Sequence, residues 1–144
     1  MKTRVKVTLV LTFIAIAAVF LVFRFVLYKP HPDYEKLPPA WSMDAGSFYR
    51  EYKTNTDHAN KLYIGKVIGL TGKLTRVETP DTLTIAVFAF EQDLFGGKGI
   101  RCTMLRKFSP DAEKLKPGGI IRIKGYCSGY NGTDVVMEQC SIIY

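Results

Sequence analysis

The amino-terminal part of this chain lacks acidic residues and cysteine. No aspartate or glutamate occurs before Asp33 and no cysteine before Cys102, so we expect no lipid-modified cysteine near the N-terminus. The sequence also contains no Gly-x-Ser-x-Gly, His-Glu-x-x-His or phosphate-loop motif, and its carboxylates are scattered. These absences favour a protein that is not an enzyme and that needs no cofactor.

The formal net charge of +7 is concentrated at one end of the chain. Five of the 20 basic residues lie within the first 29 positions: Lys2, Arg4, Lys6, Arg24 and Lys29. From residue 30 onward 15 basic residues face 13 acidic ones, so the remainder of the chain is nearly neutral. The basic excess therefore does not by itself indicate a nucleic-acid-binding protein.

The amino-terminal segment predicts a transmembrane anchor over residues 1–28. Val7 to Phe23 is uncharged and mostly apolar, and about 20 such residues cross a bilayer core. Arg24 can extend its guanidinium to the lipid headgroups, and Tyr28 suits the interface. By the positive-inside rule the three basic residues before the span stay in the cytoplasm. We therefore expect one pass through the inner membrane, with the rest of the chain in the periplasm or otherwise outside.

A cleaved signal peptide is the alternative for the same segment. Its apolar core is usually shorter and is followed by small residues, whereas the flank after residue 23 is bulky. Whether the segment is cleaved stays open.

A linker and a helical stretch are predicted to follow the anchor. Residues 29–43 contain four prolines and predict an extended spacer. Asp44 is suited to cap a helix, which is interrupted near residues 55–57 and continues to Leu62. The folded domain is then predicted over residues 44–144.

Five strands are predicted in this domain, which gives a mainly β fold. The strands span 66–77, 82–90, 100–105, 120–127 and 135–143, with a short helix at 110–115 between the third and fourth. Gly69 and Gly72 allow the first strand to bend. A helix followed by five strands in this order predicts an OB-fold barrel.

The sequence resembles the bacterial tRNA-anticodon-domain-like OB-fold family, which often follows a signal or anchor segment. The resemblance covers roughly residues 44–144 and rests on short motifs, namely 59–66, Gly72, Cys102, Leu115, Gly118, 125–129 and Cys140. It implies an OB scaffold and, by fold analogy, nucleic-acid binding. Fold alone does not establish function, and a domain outside the cytoplasm rarely meets tRNA.

The three cysteines permit one disulfide. Cys102 and Cys140 fall on strands that neighbour each other in an OB barrel, so they are a candidate pair outside the cytoplasm. The alternative is three buried core residues, including Cys127. We expect no metal site, because there is no Cys-x-x-Cys and the two histidines lie far from the cysteines along the chain.

A candidate ligand-binding face is predicted on the outer side of the strands. It comprises Arg101, Arg122, Lys124 and Tyr126, which alternate with core positions. Basic groups beside an aromatic ring suit an anionic polymer. An ordinary solvated strand face, or attraction to an anionic membrane surface, explains the same residues.

Phe88 and Phe90 share one face of a predicted strand, and Phe95 follows them. A ligand or partner could cover this apolar face, but we favour coverage by the helix of residues 44–62.

Together these features predict a non-enzymatic, membrane-anchored OB-fold binding module of the cell envelope. Its partner would be an envelope protein, a glycan or another anionic polymer, and the alternative is a single-stranded nucleic acid. The oligomeric state and the identity of the ligand stay open.

Overall fold

The computed structural model describes residues 1–27 and 32–144. These residues form two compact units, Met1–Pro32 and Asp33–Tyr144. Tyr28, predicted at the membrane interface, and residues 29–31 of the predicted linker lie outside the described residues.

The first unit consists of helix α1, Lys2–Leu27. Its 26 residues extend about 39 Å at 1.5 Å per residue, which exceeds the thickness of a bilayer core. Among the described helices it alone is long and apolar enough to cross a membrane, and an amino-terminal signal sequence meets the same criteria. The predicted apolar helix is thus present, and its composition suits either an anchor or a signal.

The second unit begins its helical part with α2, Ala45–Thr54, and α3, Thr56–Tyr63. As the sequence predicts, Asp44 caps α2: its Oδ2 accepts a hydrogen bond from the Ser47 amide at 2.9 Å. Asn55 caps α3 in the same way through the amide of His58, at 3.0 Å. The two caps explain why the helical stretch is broken in two.

Seven strands form one sheet, whereas five are predicted from the sequence. They are β1 (Trp41–Asp44), β2 (Val67–Lys73), β3 (Arg76–Glu78), β4 (Ile85–Asp93), β5 (Gly96–Met104), β6 (Ile120–Tyr130) and β7 (Val135–Ile142). Their order across the sheet is β1-β2-β6-β7-β5-β4-β3. A 3₁₀ turn at Arg106–Phe108 and helix α4, Ser109–Glu113, occupy the position of the predicted short helix.

The two additional strands have identifiable origins. The predicted first strand breaks at Leu74 and Thr75 into β2, which pairs with β6, and β3, which pairs with β4. The other extra strand comes from the end of the predicted linker, where Trp41 pairs in parallel with Ile68. Pairing with β2 supplies the backbone hydrogen bonds that a free spacer would leave to water.

The core lies between the helices and the inner face of the sheet. Phe48 of α2 packs edge-to-face on Tyr52, with ring centroids 5.3 Å apart, and both side chains are fully buried. Strand residues of the same cluster include Ile68, Leu70, Phe88, Ile100, Ile123 and Met137.

Strands β6 and β7 approach each other closely at Gly125. A Cβ atom at this position would lie 2.4 Å from the sulfur of Cys140 and 3.0 Å from the carbonyl oxygen of Glu138. No side chain fits there without moving one of these groups.

We expect Gly125→Ala to lower the free energy of unfolding by about 1–3 kcal/mol through overpacking. Urea unfolding of the chain in micelles, followed by circular dichroism, measures the change. In the double variant with Cys140→Ala part of the loss should be recovered, because the contacting sulfur is removed.

Ser128→Ala, at an exposed position of the same strand, is the control and should change the stability by less than about 0.5 kcal/mol. An unchanged urea midpoint for Gly125→Ala would contradict the predicted close approach.

Candidate ligand-binding faces of the sheet

The four residues of the predicted face do not form one cluster. Arg122, Lys124 and Tyr126 alternate along β6 and therefore share one side of it. Arg101 lies on β5 and pairs with Val136 of β7, which in turn lies opposite Gly129 of β6. Gly129 is seven positions from Arg122, about 23 Å at 3.3 Å per residue. The outer surface thus carries two separate candidate faces.

Part of the β6 face, around Lys124 and Tyr126, is covered by the chain itself. Residues 33–40, here called the strap, pack along it. The Lys124 ammonium donates a hydrogen bond to the carbonyl of Leu37 at 3.0 Å, and the ring of Tyr34 lies 4.8 Å from that of Tyr126. A ligand binding at Lys124 and Tyr126 would have to compete with these contacts.

Two further contacts fix the ends of the strap. Near its start the carboxylate of Glu35 pairs with the ammonium of Lys107 at 2.5 Å. At its end the amide of Ala40 donates to the carbonyl of Val67 at 2.8 Å, and β1 continues from there. Arg122 stays exposed, and its side chain makes no hydrogen bond or ion pair within the described residues.

The second face is built around Arg101 on strands β3, β4 and β5. Arg76 pairs with Val87, and Val87 pairs with Arg101, so these three side chains form a row across the strands. Glu78 accepts a hydrogen bond from the Arg76 Nε at 2.7 Å through Oε1 and another from an Arg101 Nη through Oε2. We call Arg76, Glu78 and Arg101 the arginine face.

Val87 shows how the arginine face is supported. It is fully buried, yet it lies outside the core cluster that contains its neighbours Ala86 and Phe88. Alternation along β4 therefore points Val87 outward, where the aliphatic stems of the flanking arginines can cover it. Covering Val87 holds the two guanidinium groups near the sheet surface.

The carboxylate of Glu78 is electrostatically tuned by its partners. Burial by itself raises the pKa of Glu78, but the hydrogen bonds and positive charges of Arg76 and Arg101 outweigh it and place that pKa below its ordinary value of 4.5. Glu78 therefore stays ionised at neutral pH. The face carries two fixed positive charges and one negative charge, and its chemistry is that of anion binding.

Sequence reasoning missed Arg76 and Glu78. A usable signal was present, because residues 76–78 alternate in polarity at the end of the predicted first strand, directly before the turn at Pro80. Residues two positions apart on a strand point to the same face, so Arg76 and Glu78 bring opposite charges together.

The predicted disulfide partners lie on neighbouring strands, β5 and β7. Cys102 pairs with Met137 and Cys140 with Met104, so the two cysteines are diagonal to each other in the register. All three cysteines are buried thiols, and the sulfur of Cys127 contacts the Tyr52 hydroxyl at 3.3 Å. Burial, followed by the neighbouring Cys102 thiol, raises the pKa of Cys140 well above its usual range. The Cys102–Cys140 bond stays a prediction.

Helix α2 covers part of the apolar surface of β4. Phe88 belongs to the core, and the ring of Phe90 stacks on Tyr49 of α2 with centroids 5.4 Å apart. Phe95 is 98% exposed at the tip of the β4–β5 hairpin. The described residues hold no group of three or more His, Cys, Asp or Glu side chains arranged to bind a metal ion.

Comparison with known proteins identifies the family. The family model described as tRNA_anti-like matches residues 1–142. The chain belongs to the tRNA_anti-like family. This confirms the predicted resemblance to an OB-fold family and extends the match through the apolar segment. None of the curated proteins matches the chain.

A solved structure shares the fold of this tRNA_anti-like chain. The crystal structure of a Klebsiella pneumoniae protein named "putative nucleic acid-binding lipoprotein" aligns over 81% of this chain and 100% of its own, with 16% identity and a TM-score of 0.54. A "putative aspartyl-tRNA synthetase" from Leishmania major aligns over 70% of this chain and 20% of its own, with 4% identity and a TM-score of 0.45. The first likeness shows the fold alone.

We expect the arginine face to make part of the stability depend on pH. Because the pKa of Glu78 is lower in the folded protein than in the unfolded chain, the folded protein binds fewer protons at acidic pH. The stability that Glu78 contributes is therefore present above pH 4.5 and is lost as the pH falls through the lower folded pKa. Urea unfolding between neutral and acidic pH should show Glu78→Gln destabilised at neutral pH, with a difference from wild type that shrinks on acidification.

The exposed Glu138 provides a matched control, since its side chain makes no ion pair among the described residues. Glu138→Gln should follow the wild-type pH profile. A difference between Glu78→Gln and wild type that is constant with pH would contradict the assigned role of the carboxylate.

Proposed function

We propose that the chain is a non-enzymatic, membrane-anchored binding module whose domain lies outside the cytoplasm and holds an anionic polymer on the arginine face. The observation that carries this proposal is the row in which Arg76 and Arg101 flank Val87 across three adjacent strands, with both arginines paired to Glu78. Family membership supports the OB-fold scaffold, and the two arginines support the binding of an anionic ligand.

The position of the arginine face supports ligand binding. An OB barrel binds oligonucleotides and oligosaccharides on the face of its second and third strands. Here β4 and β5 correspond to the predicted second and third strands, and the arginine row crosses both. Guanidinium groups held by Glu78 are already oriented, so less side-chain entropy is lost when an anionic group binds between them.

The charge distribution of the whole chain supports the membrane topology. Lys2, Arg4 and Lys6 lie in the first turns of α1, before its apolar run from Val7 to Phe23, and no acidic residue accompanies them. An anchored orientation with this end in the cytoplasm leaves the domain on the outer side. Anionic polymers of the envelope, in particular acidic glycans, are the ligands that such a domain would encounter.

Single-stranded nucleic acid is the alternative ligand, favoured by the name of the similar Klebsiella protein. Proteins that bind single strands combine positive charge with aromatic platforms on which bases stack. On strands β4 and β5 the outward residues next to the row are Ile85, Ala89, Gly99 and Thr103, none of them aromatic. The aromatic side chain of the predicted face, Tyr126, is covered by Tyr34. An anionic polymer recognised by its charge therefore fits better.

The proposal predicts that Arg76→Gln and Arg101→Gln weaken the binding of polygalacturonate by about tenfold or more each, because a hydrogen bond to a charged group contributes about 1.5–3 kcal/mol. Calorimetry of the full chain in zwitterionic nanodiscs measures the affinity at several salt concentrations. Affinity should fall as salt rises, and more steeply for wild type than for the variants.

Arg122→Gln is the matched control, because this exposed arginine lies outside the arginine face. It should leave the affinity within about twofold of wild type. Unchanged affinity of the Arg76 and Arg101 variants would overturn the proposed site. Tighter, salt-sensitive binding of oligothymidylate than of polygalacturonate would instead favour the nucleic-acid alternative.

A further inference from the structure

A cleft separate from the arginine face opens between the helices and the edge of the sheet. Helices α2 and α3 and strand β1 line it, and its volume is about 670 Å³. This volume is within the range of small-ligand sites. β1 and the strands of the arginine face stand at opposite ends of the strand order.

The floor of the cleft carries the only tryptophan of the sequence, Trp41. Alternation along β1 puts Trp41 on the same side as Met43, which packs against the core. Yet 44% of Trp41 stays exposed. Its ring meets the ring of Tyr63 edge-on at 6.0 Å, which fixes its orientation and leaves a flat apolar surface open to the cleft.

Hydrogen-bonding side chains surround this aromatic surface. Six of the nine lining residues are polar: Ser47, Arg50, Glu51, Thr54, Asn55 and His58. Several are already held in place. Arg50 donates to the Ser47 hydroxyl at 3.1 Å, and Glu51 accepts from the Tyr63 hydroxyl at 2.5 Å. Burial, followed by this hydrogen bond, raises the pKa of Tyr63 to about 12, so the hydroxyl keeps its proton at neutral pH.

The charges of the cleft cancel. Among the described residues that line it, Arg50 and Glu51 alone carry a formal charge, and their signs are opposite. A polyanion finds no net attraction in such a site. An apolar helix or a peptide anchor requires a continuous hydrophobic groove, whereas six of the nine residues that line this cleft carry polar groups. A neutral ligand with one apolar face and many hydroxyl groups matches both the ring and its polar surroundings.

We propose that the cleft binds a neutral sugar unit of a glycan, stacked on Trp41 and hydrogen-bonded by Arg50, Glu51 and their polar neighbours. The apolar C–H face of a pyranose ring lies against the indole, and its hydroxyl groups replace water on the fixed donors and acceptors. The site is independent of the arginine face, so either can fail while the other stands.

The single tryptophan makes the site directly observable. The full chain is titrated, in micelles of a detergent whose head group is not a sugar, with trisaccharides of glucose, mannose, galactose or N-acetylglucosamine. We expect at least one trisaccharide to give a saturable change in tryptophan emission, with a dissociation constant of about 1 mM. Because the ligand is neutral, added salt should leave the affinity unchanged.

Variants locate the binding. Trp41→Ala should weaken sugar binding about tenfold or more. Because this variant has no tryptophan, its binding is measured by saturation-transfer NMR on the sugar. Arg50→Gln, at an exposed position, should weaken it severalfold without disturbing the fold and provides a second test should Trp41→Ala fail to fold. Phe95→Ala removes an exposed aromatic ring outside the cleft and should leave binding unchanged.

Three results would overturn the proposal. The first is that no trisaccharide of the panel changes the tryptophan emission at concentrations well above about 1 mM. The second is sugar binding that survives in both folded cleft variants. The third is a saturable emission change with an amphipathic helical peptide but with none of the sugars, which would make the cleft a peptide-binding groove.

Discussion

The corner at Leu74 and Thr75 is the constraint on which the rest of the domain depends. It is two residues long, yet it joins β2 and β3, which lie near opposite ends of the strand order. Leu74 exchanges hydrogen bonds with Gly118 and Gly119, at 2.7 and 2.9 Å, whereas the Thr75 amide donates to Val87 of β4 at 2.9 Å. The sheet must therefore curl so that β2 and β3 come close together here, and the curl defines an inside for the core and an outer surface.

The curl also divides the outer surface. Near β2 and β6 the strap covers part of the sheet, and near β3, β4 and β5 the arginine face is partly exposed. Both surfaces carry basic residues, but their partners differ. Lys124 donates to a backbone carbonyl of the strap, whereas Arg76 and Arg101 share a single carboxylate. An anion that binds at the proposed face would compete with Glu78 for the two guanidinium groups, and not with the strap.

Local patterns predicted most of the fold. Alternation located the strands, and Asp44 marked the start of α2. A pattern in one stretch of sequence cannot reveal which distant residues of the chain pack against that stretch. Tyr34 and Tyr126 are 92 positions apart and Lys124 and Leu37 are 87 apart, so the strap was predicted as a free linker. The same limit explains why β1, paired with a strand 27 residues later, was missed.

The candidate site was predicted only in part, because the sequence does not show which strands are neighbours. Strand parity correctly placed Arg101, Arg122, Lys124 and Tyr126 outside the core, but parity does not tell which strands adjoin. Only the register puts Arg76 and Arg101 on either side of Val87 and leaves Arg122 far along β6. A set of outward residues in sequence is therefore a set of candidates, and the pairing of strands decides which of them can share one ligand.

The strap has a consequence for any fragment of this protein. A domain that begins after residue 40 would lose Glu35, the Leu37 carbonyl and the ring of Tyr34. Lys107, Lys124 and Tyr126 would then lose the partners that they have in the chain. Such a fragment presents basic groups beside an open aromatic ring, which is the surface that single-stranded nucleic acids bind. Nucleic-acid binding by the fragment would then reflect a face that the chain itself covers, so the ligand must be identified with the strap in place.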